Sequence, residues 1–266
     1  MMRVRGGSRR RDTRTGRVRG PSAPVTYGLM LLCGLLFAGS PAAGLVRPGD
    51  GTAALLAAQQ DYFDRWGVVP ARLLGGPPPL HLVPSAADTL LSALFVHANW
   101  VHLLGNLLFL HVFGAMVEQR MGRMRFTFFY LVCGALALLG YALAHSGSEQ
   151  SLVGASGAIS AVLGAFLFLF PKARVTSLLP FLFFLPLRFP AWVVLPFWVV
   201  LQWLSVRQAD QGPGVAYLAH LVGFGLGFGY AWVRWGRAGA SAHGTGTRGT
   251  KVGSAPAPAP EGDSQP

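Results

Sequence analysis

The sequence predicts an all-α polytopic membrane protein, a bundle of six transmembrane helices with disordered cytoplasmic tails. Three observations carry this expectation. Of the 266 residues, 52% are hydrophobic and 12% charged, about half the charged share of a soluble domain. The mean hydropathy is +0.44. Six stretches, at 25–46, 100–117, 126–144, 154–170, 190–206 and 216–234, come close to the ~20 mostly apolar residues that a spanning helix needs.

Taken in order, residues 1–24 form an Arg/Gly-rich tail without apolar periodicity, a composition that stays disordered. The first span follows. Its apolar stretch 29–38 and the small residues SPAAG at 40–44 also suit a signal peptide. Cleavage there would leave five spans with a new outer N-terminus, whereas an even count fits the charges better. Residues 47–99 make a long outer loop, in which AALLAAQQDYFDRWGVV predicts short helices at the interface. The remaining spans complete a membrane domain over 25–236. Between the fourth and fifth, KARVTSLLPFLFFLPLRFP (172–190) is apolar but interrupted by Pro180 and Pro186, which predicts an inner-face connection skimming the membrane. Residues 237–266 are Gly/Pro-rich and of low complexity, a flexible tail. Cys33 and Cys133 fall inside spans and read as packing residues, not as a disulfide.

The net charge of +12 is distributed unevenly. With the N-terminus inside, 18 of the 22 basic residues lie on inner segments, leaving Arg47, Arg65, Arg72 and Arg207 outside. This bias is the positive-inside rule and predicts that both termini are cytoplasmic. The arginines of the N-terminal tail then lie near anionic lipid headgroups. Nucleic acid is not the expected partner; the lipid bilayer is.

Polar side chains within spans are costly and face the bundle interior, where they act. In HANWVHLLGN, His102 and Asn106 are four apart and share a helix face. His97 is expected in the loop just outside, pointing back in. His111 lies nine after His102, roughly on the opposite face. In the fourth span, Ser156, Ser160 and Gly164 form a strip of small residues. In the sixth, His220, Gly223 and Gly227 share one face, and the two glycines let another backbone approach closely. Packing that face on the fourth span's strip would bring His220 level with Ser156. A serine at the head of a helix that starts at 156 would sit below the outer surface. There the helix dipole favours a developing negative charge. Strips of small residues are most often packing devices, and a lone membrane serine most often bonds its own backbone. The conjunction of nucleophile, base and nearby donors is what points to chemistry.

HANWVHLLGN, VEQRMG, GASGAISAVLGA and AHLVGFGLG, in this order and spacing, closely resemble the motifs of the rhomboid intramembrane serine proteases. The resemblance covers roughly residues 85–235, and the six-span count extends it to the first helix of a rhomboid-like bundle. It implies that Ser156 is the nucleophile and His220 its general base, a dyad without a carboxylate. It further implies that Asn106, His102 and the Ser156 backbone N–H stabilise the oxyanion, and that His97 supports them. The motif glycines Gly154, Gly157, Gly223 and Gly227 are supporting residues. Glu118 and Arg120 match a structural Glu-x-Arg motif, while Trp198 and Gln202 resemble a fifth-helix Trp-x-x-x-Gln in the gate region. One departure stands out. Four residues after the nucleophile many members carry an aromatic ring that stacks on the histidine, and here there is Ser160. The base is then less tightly oriented, or another ring substitutes.

The resemblance implies hydrolysis of a peptide bond in or near the transmembrane segment of a membrane-protein substrate; because a membrane helix protects its peptide bonds, a helix-weakening stretch near the outer face is expected. No cofactor or metal is expected: there is no His-Glu-x-x-His, and no intramembrane carboxylate faces the histidines. The alternatives are a pseudoprotease that binds membrane proteins without cutting them and, more remotely, a histidine-lined transporter or metal channel. The lack of an organelle-type transit peptide and the compact core predict a bacterial-type plasma membrane.

Overall fold

The computed structural model of the chain describes residues 22–45, 51–75, 85, 87–179, 185–208 and 216–236. The tails expected at 1–24 and 237–266 lie outside them, except for 22–24. Helix α1 (Pro24–Ala38) begins at a proline, whose fixed φ suits the first helical position and whose missing N–H would have been unpaired there anyway. The preceding Ala23 has no side chain to cap the helix. The cap comes from a distant residue instead. Glu118, buried, accepts from the Val25 N–H (3.1 Å), the Thr26 N–H (2.7 Å) and the Thr26 hydroxyl (2.8 Å). A carboxylate at this end also complements the helix dipole. The helix stops well short of the expected boundary at 46. Gly39 caps it, the Ser40 hydroxyl donates back to the Phe37 carbonyl (2.7 Å), and Pro41, unable to donate a helical bond, starts a separate 3-10 turn.

The outer loop carries α2 (Thr52–Trp66), α3 (Pro70–Gly75) and α4 (Thr89–Ser92), short helices as expected. Helix α5 (Trp100–Phe109) runs through a π-helical turn, Leu110–Gly114, into α6 (Ala115–Met121). That rod and α7 (Arg123–Ala144) are each 22 residues long and apolar enough to cross a membrane. Gly122 separates them at φ 85°, a left-handed conformation that costs glycine nothing.

Helix α8 (Ser156–Leu169) is the centre of the molecule, with every residue from Gly157 to Phe166 buried. A helix apolar on all sides needs such a surrounding. Helices α7, α9 (Ala191–Gln208) and α10 (Tyr217–Ala231) and the π-helical turn supply it. Glycine sets how α10 lies on α8. A Cβ at Gly223 would collide with the Gly157 carbonyl oxygen, one at Gly227 with that of Ala161, and one at Gly164 with that of Phe224. The two backbones therefore touch and run parallel, Gly223 beside Gly157 and Gly227 beside Ala161. That register sets His220, one turn ahead of Gly223, level with the start of α8.

The all-α expectation fails at 172–190. Strands β1 (Arg174–Leu179) and β2 (Leu185–Pro190) pair antiparallel, with Val175 opposite Phe189 and Thr176 opposite Arg188. The alternation Arg174, Val175, Thr176 has the strand period rather than the helical one. Pro186 and Pro190 are tolerated because both strands of a two-stranded ribbon are edges.

Glu118→Ala would leave the buried Thr26 N–H and the part-buried Val25 N–H of the helix unpaired, so thermal unfolding in detergent should show a loss of about 2–3 kcal/mol. Glu118→Gln, which keeps an acceptor, should lose less.

Candidate active site

Ser156 is the first residue of α8, whose capping position, Ala155, offers no side-chain acceptor. The first N–H groups of the helix have no intrahelical partner and face the loop that leads in. That loop is held from several directions. Leu152 and Val68 exchange backbone bonds at 2.9 and 2.8 Å, and the Ala71 N–H donates to the Ser148 carbonyl at 3.0 Å. The Ser151 hydroxyl donates to the Asp64 carboxylate, which also pairs with Arg72 at 3.3 Å. The Gly154 N–H donates to the Ala93 carbonyl at 2.8 Å. Gly154 has φ 124°, and a Cβ there would lie 2.7 Å from His102 Cε1 and Nε2. Glycine is required here both for the backbone angle and to admit the His102 ring.

On the facing helix α5, Asn99 caps the N-terminus by accepting from the His102 N–H at 2.9 Å. The Ala98 N–H points at His102 Nδ1 at 3.4 Å. Nδ1 therefore holds the lone pair and Nε2 the proton, which makes His102 a donor on the side facing Gly154. Asn106, one turn on, is buried, and its Nδ2 has no hydrogen-bond partner. His97 lies in the loop ahead of the helix, buried, with its ring edge-on to His102 at 5.2 Å. Its Nδ1–H donates to the Phe95 carbonyl at 3.3 Å. Burial, followed by the neighbouring His102, pushes its pKa down to about 4, so the ring is neutral at pH 7.

His220 comes from α10. Its Nδ1–H donates to Gln202 Oε1 of α9 at 2.7 Å, which leaves the lone pair on Nε2, and Nε2 is buried without a partner. The Trp198 ring stacks on His220 with centroids 6.1 Å apart and planes at 30°, and Tyr217 meets it edge-on at 6.2 Å. Ser160 does not provide a ring; its hydroxyl donates to the Ser156 carbonyl at 2.7 Å, one turn back along the helix. The ring stacked on His220 comes instead from Trp198, on another helix.

Ser156, His220, His102, Asn106, Gln202 and Trp198 all line one cavity of about 680 Å³. Other candidates lie elsewhere. His111 is exposed and packs against Tyr27, with ring centroids 5.9 Å apart. Glu118 caps α1, and the Arg120 guanidinium sits 5.6 Å from the Trp235 ring centroid. Three contacts were invisible in the sequence: Gln202 to His220, Asp64 to Ser151, and Glu118 to the head of α1. Each joins residues far apart in the chain, and no local spacing signals them.

A family profile described as "Rhomboid domain" matches residues 85–237. The chain belongs to the rhomboid family. It is thus an integral membrane protein of a polytopic family. Rhomboid protein 1, mitochondrial, of Saccharomyces cerevisiae is 32% identical to this rhomboid over 148 residues, 54% of this chain and 41% of the yeast protein. RHOMBOID-like protein 5 of Arabidopsis thaliana is 37% identical over 78 residues, 29% of this chain and 25% of the relative. Rhomboid-like protein 11, chloroplastic, also of Arabidopsis thaliana, is 44% identical over 68 residues, 26% of this chain and 24% of the relative. The matches span less than half the length of these relatives. Two of the names are organellar, and the bacterial-type plasma membrane expected above finds no support among them.

Asp64→Ala removes the carboxylate that holds Ser151, Gln60 and the Arg72 ion pair, leaving Arg72 only the Asp64 carbonyl. Limited proteolysis of the folded protein should then cut the 148–154 loop faster, while Asp64→Asn, which keeps an acceptor, should protect it nearly as well as the natural residue.

Proposed function

We propose that this rhomboid is an intramembrane serine endopeptidase that cuts in or near the transmembrane segment of membrane-protein substrates. The observation that carries this reading is the state of His220: Nδ1 is occupied by Gln202, while Nε2 is buried and unpaired on a ring that lines the same cavity as Ser156. A base of this form takes the Ser156 proton on Nε2 as Oγ attacks the substrate carbonyl carbon. The same nitrogen then returns the proton to the leaving amine, and water repeats the cycle on the acyl-enzyme. The charge that develops on the carbonyl oxygen needs preorganised donors. His102 Nε2–H, Asn106 Nδ2 and the Ser156 N–H supply them, at the N-terminus of a helix whose dipole adds to their effect. His97 backs His102 as a neutral ring. Glu118 and Arg120 act on the fold rather than the reaction.

The reading also keeps six spans with both ends on the positive-inside face, since the apolar helices α1, α8, α9 and α10 accompany the two long ones. A peptide bond in a membrane helix is protected by its own hydrogen bonds, so substrates carry a helix-weakening stretch near the outer face.

Purified protein in liposomes should cleave a model transmembrane span containing Gly or Pro, and cleave a strongly helical span without them more slowly. Ser156→Ala and His220→Ala should each lower cleavage by at least about 10³-fold. A fluorophosphonate should attach to Ser156 Oγ with loss of fluoride. A folded wild type that neither cleaves several such spans nor takes the label would overturn the reading and favour client binding without cleavage.

A further inference from the structure

We propose that Gln202 completes the catalytic centre as the positioning residue of His220. This rests on the Ser156–His220 reading above. A histidine base needs its second nitrogen engaged, because that bond selects the tautomer and stops the ring from turning. Serine–histidine centres of the three-membered kind use a carboxylate for this. Here the acceptor is a neutral amide oxygen, 2.7 Å from Nδ1. Trp198, four residues earlier and on the same face of α9, stacks on the ring. One helix face thus carries both the acceptor and the ring that orient His220.

The two ends of α9 are held differently. Its first turn is anchored: Ala191 and Leu195 are buried, the Ala191 N–H donates to the Ala173 carbonyl at 2.8 Å, and the Trp192 N–H to that of Pro171 at 3.0 Å. Beyond Pro196, which has no N–H and interrupts the helical ladder, Phe197, Val200, Leu201, Trp203 and Leu204 are exposed to the lipid side. Trp198 and Gln202 of this half line the cavity. Orientation of the base therefore depends on the placement of this one helix face.

The titratable groups that share the cavity with His220 are His102 on α5 and Tyr217 on its own helix; Ser156, Ser160, Gln202 and Trp198 carry no charge. Replacing Gln202 by glutamate places a carboxylate on Nδ1 and stabilises the imidazolium, which moves the acid limb of the rate profile to higher pH.

The test is kcat, KM and the pH profile of span cleavage by the full chain in liposomes, with fluorophosphonate labelling of Ser156 alongside. Gln202→Leu should lower kcat by roughly 10²-fold with KM unchanged, and slow labelling in parallel. Gln202→Glu should restore most of kcat above its acid limb and show that limb displaced upward. An active, labelled wild type whose Gln202→Leu variant matches it in kcat and labelling would overturn the positioning role and leave the dyad standing. A Gln202→Leu loss that tracks a fall in melting temperature and is not rescued by Gln202→Glu would also overturn it, in favour of a packing role. A wild type that neither cleaves nor labels would remove the dyad and this inference with it.

Discussion

The contact between α8 and α10 is one that only glycine allows. Carbonyl oxygens of Gly157, Ala161 and Phe224 occupy the places where side chains at Gly223, Gly227 and Gly164 would begin. Between membrane helices there is little hydrophobic drive to associate, so close backbone packing has to supply it. The same contact fixes the register of two helices to within a fraction of a turn. Ser156 heads one of them and His220 sits near the head of the other, so the alignment that stabilises the bundle also sets the height of both side chains.

Polar groups around this seam are held by partners at long range. The carboxylate of Glu118 does for α1 what Ala23 cannot. Asp64 and Val68, on the outer loop, tie down the strand-like approach to Ser156. In a low-dielectric interior such bonds are strong when made and costly when missing. Against that background the buried side-chain atoms without partners are informative. Among the described residues they are His97 Nε2, Asn106 Nδ2, His220 Nε2 and the Tyr130 hydroxyl. Asn106 and His220 border the Ser156 cavity, and His97 meets His102, which also borders it, edge-on. Tyr130 lies apart, and nothing in the structure explains it. Orphaned polar atoms gathered at one cavity are what a site built for a passing substrate requires.

Much of the membrane core was legible from pattern. Apolar stretches located α5 through α8 closely because long runs without charge have one solution in a bilayer, the helix. The first span was drawn too long, since Leu45 and its neighbours are as apolar as the helix, and only Gly39, Ser40 and Pro41 mark its end. The ribbon at 174–190 was read as irregular because its prolines argue against a helix without arguing for a strand. Its period-2 alternation is only a few residues long, too short to outweigh an overall apolar composition.

At the site the division is similar. Spacing by three and four put His102 with Asn106, and His220 with the glycines, since helical periodicity makes neighbours of such residues without any knowledge of the fold. What the chain by itself determined is therefore the set of faces: which side chains travel together on each helix, and that one of those faces admits a backbone. Only the tertiary structure decided which faces meet. Gln202 reaches His220, Trp198 stacks on the same ring, and Glu118 caps α1 because three-dimensional packing brings together residues that no period connects. Hydrogen bonds and ring contacts act over a few ångströms, and those ångströms are set by the packing of whole helices.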